Sequence, residues 1–296
     1  MVRRLTSSGE GIVGLVICVP LIVIAAVGPW LAPQDPNSVN LADRLLPPSS
    51  SHWFGTDDLG RDLLSRVLEG GHRTVISALF VVTVSAAIGL VVGVVAGFMG
   101  GVVDQLLMRV TDVFVGYPAL LLAVAIAASL GVGLIQTAIA LSVVWWAGYA
   151  RIIRGQASAI RNLPYVESAK TAGASSLQIM RRHVVPNVSS VLVVKFTLDV
   201  ALVVESVAAL GFIGLGAQAP DAEWGAMIAN SRRFAVEAWW FPVMPGIALL
   251  LVVVGFNLLG DGISHAIGGG TTSRKQDRRF RRLVNTTLKK TLEDEA

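Results

Sequence analysis

The sequence predicts an all-α, polytopic membrane protein with about six transmembrane helices. Two features of composition and one of pattern predict it. Hydrophobic residues make up 53% of the 296 residues and charged residues only 15%, whereas soluble domains carry about 25% charged residues. Mean hydropathy is +0.66. Apolar runs of about 20 residues recur along the chain, each long enough to cross about 30 Å of hydrocarbon. Such runs are hard to reconcile with a water-soluble core.

The first run covers residues 12–31, after a short basic start with Arg3 and Arg4. It is longer than the apolar stretch of a signal peptide, and Pro29 stands where a cleavage site would fall, so it reads as an anchor. Residues 32–74 are polar and punctuated by Pro33, Pro36, Pro47 and Pro48. Further apolar runs follow at 75–99, 106–130, 134–155, 190–214 and 243–265. Three regions result. Residues 1–74 form an anchor helix and an external segment, 75–267 a core with five transmembrane helices, and 268–296 a basic tail expected to be solvated.

Basic residues set the expected orientation. With the N-terminus in the cytoplasm, Arg3, Arg4, Arg109, Arg151, Arg154, Arg161, Lys170, Arg181 and Arg182 join the basic tail on that side. Arg44, Arg61, Arg66, Arg73, Arg232 and Arg233 fall outside. The excess places both termini in the cytoplasm. It also accounts for the net charge of +4 without a nucleic-acid partner. Cys18, the sole cysteine, can form neither an internal disulfide nor a cysteine-type metal site.

Local signals fill in the elements. Gly89, Gly93, Gly97 and Gly101 recur every four residues, which puts them on one helix face and lets another backbone approach closely. Thr56, Asp57 and Asp58 make a suitable helix N-terminus. Leu59, Leu63, Leu64, Val67 and Leu68 then form one apolar face, so 57–69 reads as an external surface helix. A calcium site from Asp57, Asp58 and Asp62 lacks the ligand spacing of known loops. Gly211, Gly214 and Gly216, with Pro220 beyond, terminate a helix and start an external loop.

Residues 156–189 are the longest non-apolar stretch between two spans on the cytoplasmic side. Pro164 suits a first helical turn, and Tyr165 to Ala172 contains no breaker. Gly173 ends or bends that helix, and Ser175 or Ser176 can cap a second one running to His183. A helix, a sharp corner and a second helix are therefore expected on the membrane surface. A rigid corner transmits a push, which a floppy linker cannot.

This stretch resembles the coupling loop of binding-protein-dependent ATP-binding-cassette (ABC) permeases. That pattern is Glu-Ala-Ala, then Gly four residues on, then Pro about thirteen further; here Glu167-Ser168-Ala169, Gly173 and Pro186 fall in place. Ser168 replaces the first Ala, and His183 stands where the family often has Ile. Other blocks resemble the C-type subunits of the dipeptide, oligopeptide and nickel group. These are His52-Trp53-Phe54-Gly55-Thr56-Asp57-Asp58-Leu59-Gly60-Arg61-Asp62; Asp104, Leu107, Met108, Arg109, Asp112 and Pro118; Phe212-Ile213-Gly214-Leu215-Gly216; Trp224-Gly225; and Asn257-Leu258-Leu259-Gly260-Asp261-Gly262. The likeness runs from the first span to about residue 267.

The resemblance implies a type I ABC importer permease fold in a bacterial-type inner membrane. It implies a second permease subunit, one or more cytoplasmic ATPase subunits carrying ATP and Mg, and an extracytoplasmic binding protein. Glu167 would make polar contacts at the ATPase surface, Ala169 would pack closely there, and Gly173 would permit the turn. Small peptides are the favoured cargo, with nickel or another small solute as the alternative.

Three charges fall within the fifth span. A charge near the bilayer centre costs about 2.5–3.5 kcal/mol on insertion scales, so such residues face protein or water. Lys195 and Asp199, four apart, can pair, or Lys195 can snorkel. Glu205 either lines a translocation pathway or bonds to a neighbouring helix. No phosphate loop, His-Glu-x-x-His or Gly-x-Ser-x-Gly motif is present, so neither catalysis nor a metal or cofactor site is expected of this chain. An ion-driven secondary transporter is the remaining rival, and its usual internal repeat is not evident.

Overall fold

The computed structural model describes residues 9–268. Arg3, Arg4 and the tail beyond Gly268 lie outside the described residues. The first run forms α1 (Gly9–Leu31). It packs on α2 (Leu63–Met99) and on α10 (Trp240–Gly268). Between α2 and α10 run α3 (Gly101–Val115), α4 (Ala119–Leu130) and α5 (Leu134–Arg161). Two short helices follow, α6 (Pro164–Thr171) and α7 (Ser176–Ile179). The long α8 (Val185–Phe212) and the short α9 (Trp224–Ser231) precede α10. Among the described residues the only β contact is an isolated bridge between Thr56 and Asp62.

Three helices, α1, α2 and α10, are long and apolar enough to cross a membrane, or four if the bent pair α3–α4 is one span. Helices α5 and α8, at 28 residues each, reach about 42 Å at 1.5 Å per residue. Helix α5 carries Arg151, Arg154 and Arg161, and α8 carries Lys195, Asp199 and Glu205.

Two boundaries differ from expectation. The external helix expected over 57–69 does not form. Residues 57–62 are a turn, and α2 starts at Leu63 and continues unbroken for 37 residues into the second span. Other contacts take the Thr56 and Asp57 side chains, Asp57 Oδ1 accepting from Leu59 and Arg61 N–H in a local turn. The Thr56 hydroxyl bonds to the Asp43 carbonyl and receives Leu46 N–H at 2.8 Å. Asp57, fully buried, holds Arg61 at 2.6 Å and Arg66 at 3.3 Å. Asp62 caps α2 instead, accepting from Ser65 N–H at 2.8 Å while contacting His52 Nδ1 at 3.0 Å. The acids are thus directed to separate partners.

The second difference is the third span. The apolar run over 106–130 is expected to make one span; in the structure α3 and α4 meet at 86°. Pro118 has no N–H to donate and disfavours helical geometry at Tyr117. The ladder therefore stops at Gly116 and restarts at Ala119.

The core lies where α2 crosses α5. A Cβ on Gly89 would meet Trp146 O at 2.7 Å, and one on Gly93 would meet Ala150 O at 2.7 Å; one on Gly97 would meet the Ala157 side chain at 2.8 Å. These three glycines let the two backbones touch. Gly101 lies beyond that contact, at the start of α3, with open space around it. Helix α8 ends as expected: Leu215 N–H bonds to Leu210 O and Gly214 N–H to Gly211 O, and Gly214 sits at φ +89°. This is the Schellman pattern that a left-handed glycine supports.

Candidate functional site

The segment after α5 builds a rigid corner. Pro164 opens α6 at its first turn. Helix α6 closes with Ala174 N–H bonded to Ala169 O and Gly173 N–H bonded to Lys170 O, with Gly173 at φ +83°. That is a second Schellman closure, and its left-handed residue is the one that only glycine adopts without strain. Ser175 then caps α7 in a reciprocal box with Gln178: Ser175 N–H donates to Gln178 Oε1 at 2.9 Å, and Gln178 N–H donates to Ser175 Oγ at 3.4 Å.

The second helix does not stop at His183 as expected. Residues Met180–Val184 form a π-helical turn, with Val185 N–H reaching back to Met180 O, and lead directly into α8. In a regular α-helix the ring of Pro186 would crowd the Arg182 carbonyl, and the wider π turn relieves that crowding. The corner is therefore continuous with the fifth span.

Apolar anchors fasten the corner to the bundle. Val166, Ile179, Val184 and Val188 are buried against Val94 and Phe98 of α2 and Ile153, Ala157 and Ile160 of α5. Tyr165 packs on His183 at 5.7 Å between centroids, and Asn187 Nδ2 donates to Tyr165 Oη at 3.4 Å. The outer face is left open. Glu167, Ser168, Gly173 and Pro186 are exposed and Ala169 is half-buried. The Glu167 carboxylate makes no hydrogen bond or ion pair with any described residue, while Ser168 Oγ donates to Pro164 O at 3.1 Å.

Helix α8 carries a second feature. Its Val200, Val203, Val204 and Val207 are fully buried, while Lys195, Leu198, Leu202, Glu205, Ala209 and Phe212 form a stripe of partial or full exposure. Lys195 Nζ donates to Asp199 Oδ1 at 3.1 Å and stands 4.8 Å over the Tyr149 ring. Asp199 is buried. Glu205, on the same stripe, makes no hydrogen bond or ion pair with any described residue. Across the groove, Asp104 and Asp112 of α3 hold Arg154 and Arg151 of α5, with Arg154 Nε donating to Asp104 Oδ1 at 2.9 Å and Arg151 Nη2 to Asp112 Oδ1 at 2.7 Å.

Residues 89–271 match the family described as binding-protein-dependent transport system inner membrane component. The chain belongs to this permease family. Residues 1–48 of the permease also match the N-terminal TM domain of oligopeptide transport permease C. It is 44% identical, over 89% of its length and 88% of the relative's, to a probable D,D-dipeptide transport system permease protein of Escherichia coli (strain K12). It is 40% identical, over 86% of both chains, to a di/tripeptide transport system permease protein of Pseudomonas aeruginosa. Its fold resembles a chain of the MetNI methionine ABC transporter in an inward-facing conformation, with a TM-score of 0.51 at 19% identity over 69% of this permease and 95% of that chain. The C-type resemblance in the sequence and the permease-like all-α fold are both borne out.

Sequence reading missed several residues of the permease. Leu177 is 62% exposed on the outer face of the corner, and Tyr165 is 43% exposed beside it. Tyr149 was unremarkable in its apolar run, yet it underlies Lys195. Glu223 was passed over as a loop acid. It is fully buried, and its carboxylate caps α9 by accepting from Gly225 N–H at 2.8 Å and Ala226 N–H at 2.9 Å. Thr74 Oγ1 adds a bond at 3.3 Å. Its proximity to the Trp224-Gly225 block was the one available signal.

Proposed function

We propose that this permease is half of the translocation pathway of an ATP-driven importer for small peptides. It works with a second permease subunit, cytoplasmic ATPase subunits that carry ATP and Mg, and an extracytoplasmic binding protein. Both termini are cytoplasmic. Peptide cargo is favoured by the relatives, whose names specify dipeptides and di/tripeptides.

The observation that carries the reading is the corner over Pro164–Val184. It is exposed on its outer face, anchored on its inner face and continuous with α8. Glu167 and Leu177 offer the ATPase one charged and one apolar contact, and Gly173 fixes the angle between them. When ATPase subunits close, they push α7, and α8 carries the push to the stripe with Lys195, Asp199 and Glu205. These three line the pathway, where water or the second permease meets charges that lipid would not tolerate.

Isolation of a tagged copy from its native membrane tests the assembly. Wild type recovers ATPase subunits and a second permease, and Glu167→Lys recovers them at well under half the yield. Recovery of the wild-type chain alone, or as an assembly indifferent to Glu167→Lys, overturns the reading.

A further inference from the structure

Two cavities meet on one side chain. One, of about 520 Å³, lies between α5, α8 and α10 and includes Lys195, Leu198 and Asp199 in its lining. The other, of about 340 Å³, lies under the α3–α4 bend and is walled by Phe114, Tyr117 and Trp145. Lys195 lines both. Among the described residues Lys195 and Asp199 are the only charged ones in the two linings, and they differ in access. The Lys195 side chain is 22% exposed and that of Asp199 only 5%. A solute moving between the cavities therefore meets an ammonium backed by a buried carboxylate.

The cluster also holds unused hydrogen-bonding capacity. Lys195 Nζ lies 3.1 Å from Asp199 Oδ1 and 2.9 Å from Oδ2, which leaves at least one of its three N–H donors outside the pair. A lysine wanted only as a structural counterion would be buried with its acid. This one stays bonded to Asp199 and over the Tyr149 ring while remaining 22% exposed and lining both cavities.

We propose that Lys195 is a carboxylate-binding site in the translocation pathway, taking the free carboxylate of a passing solute while Asp199 holds the ammonium in place. The aromatic wall suits a carboxylate borne next to a small apolar group, as at the C-terminus of a short peptide. This inference rests on the permease reading above and extends it to a specific contact. The ammonium donates one N–H to the solute carboxylate and keeps Asp199 with another, so the contact forms without breaking the pair. It is released when the pathway changes shape.

The test uses the full importer in vesicles, with labelled Ala-Ala as the probe. Wild-type uptake is measured first and tests the permease reading by itself. Lys195→Met is expected to lower uptake about tenfold or more, the order of one lost charge-assisted hydrogen bond. Binding-protein-stimulated ATP hydrolysis continues, and Lys195→Arg retains uptake. The double variant Lys195→Met/Asp199→Asn, which removes both charges, stays as impaired as the single one. Normal uptake by either Lys195→Met or the double variant overturns the proposal, the latter by showing that the pair is structural. Saturation-transfer NMR on the purified importer gives a readout independent of transport. N-acetylalanine gives a signal with wild type that Lys195→Met loses and that N-acetylalaninamide never gives; equal signals from acid and amide also overturn it.

Discussion

Glu223 shows how much one side chain holds at the residue scale. Its carboxylate closes the first turn of α9, and Trp224 beside it donates its indole N–H to Val67 O at 3.0 Å, so the outer ends of α2, α8 and α9 are locked together. Burial raises the Glu223 carboxyl above its ordinary value of 4.5, and the bonds from Gly225, Ala226 and Thr74 oppose that rise. A raised value means that the folded chain binds the proton more tightly than the unfolded chain. The stability it contributes is full below pH 4.5 and is lost as pH rises through the folded value. Glu223→Gln should therefore gain thermal stability relative to wild type as pH is raised from 4.5 in detergent unfolding scans. A difference that shrinks or reverses with rising pH would contradict the burial argument.

At the scale of elements, the corner should be sensitive to its angle. Gly173→Ala forces a left-handed residue that costs roughly 1–2 kcal/mol, against open space around the site. The variant should fold and bind ATPase subunits but transport less per ATP hydrolysed, as measured by paired uptake and phosphate release. Unchanged stoichiometry would mean that the corner angle does not matter. The corner was legible in the sequence because Pro164, Gly173 and Ser175 each act through their own backbone. The π turn was not, because it answers a clash between Pro186 and a carbonyl one turn back. The start of α2 lies further on for a related reason: Thr56 is held by Asp43 and Leu46 of the preceding loop, and Asp57 closes a local turn onto Leu59 and Arg61 and pairs with Arg61 and Arg66. The α3–α4 bend had its signal in Pro118, masked by apolar residues that continue across it.

On the scale of the whole molecule, the glycine contact of α2 with α5 and the packing of α8 against both leave α3, α4 and the start of α5 with exposed apolar side chains. Val102, Leu106, Val113, Leu121 and Ile135 are each more than 60% exposed. Lipid tails are the default neighbour of such side chains in a membrane. Sequence reading found the membrane class, the family and the corner because apolar run length and backbone-specific residues are local. It could not say which side of α8 faces outward, because that depends on how the helices pack together.

The account turns on the corner being the contact with the ATPase, and a single cross-link tests it most directly. Cys18 is replaced by Ser to give a cysteine-free chain, and one cysteine is placed at Leu177 with a matched control at fully exposed Val236 in the loop between α9 and α10. Membranes carrying the assembled complex are treated with a short bifunctional thiol reagent. The account predicts an ATPase adduct from position 177 and none from 236. Adducts from 236, or none from 177 in an otherwise intact complex, would contradict it.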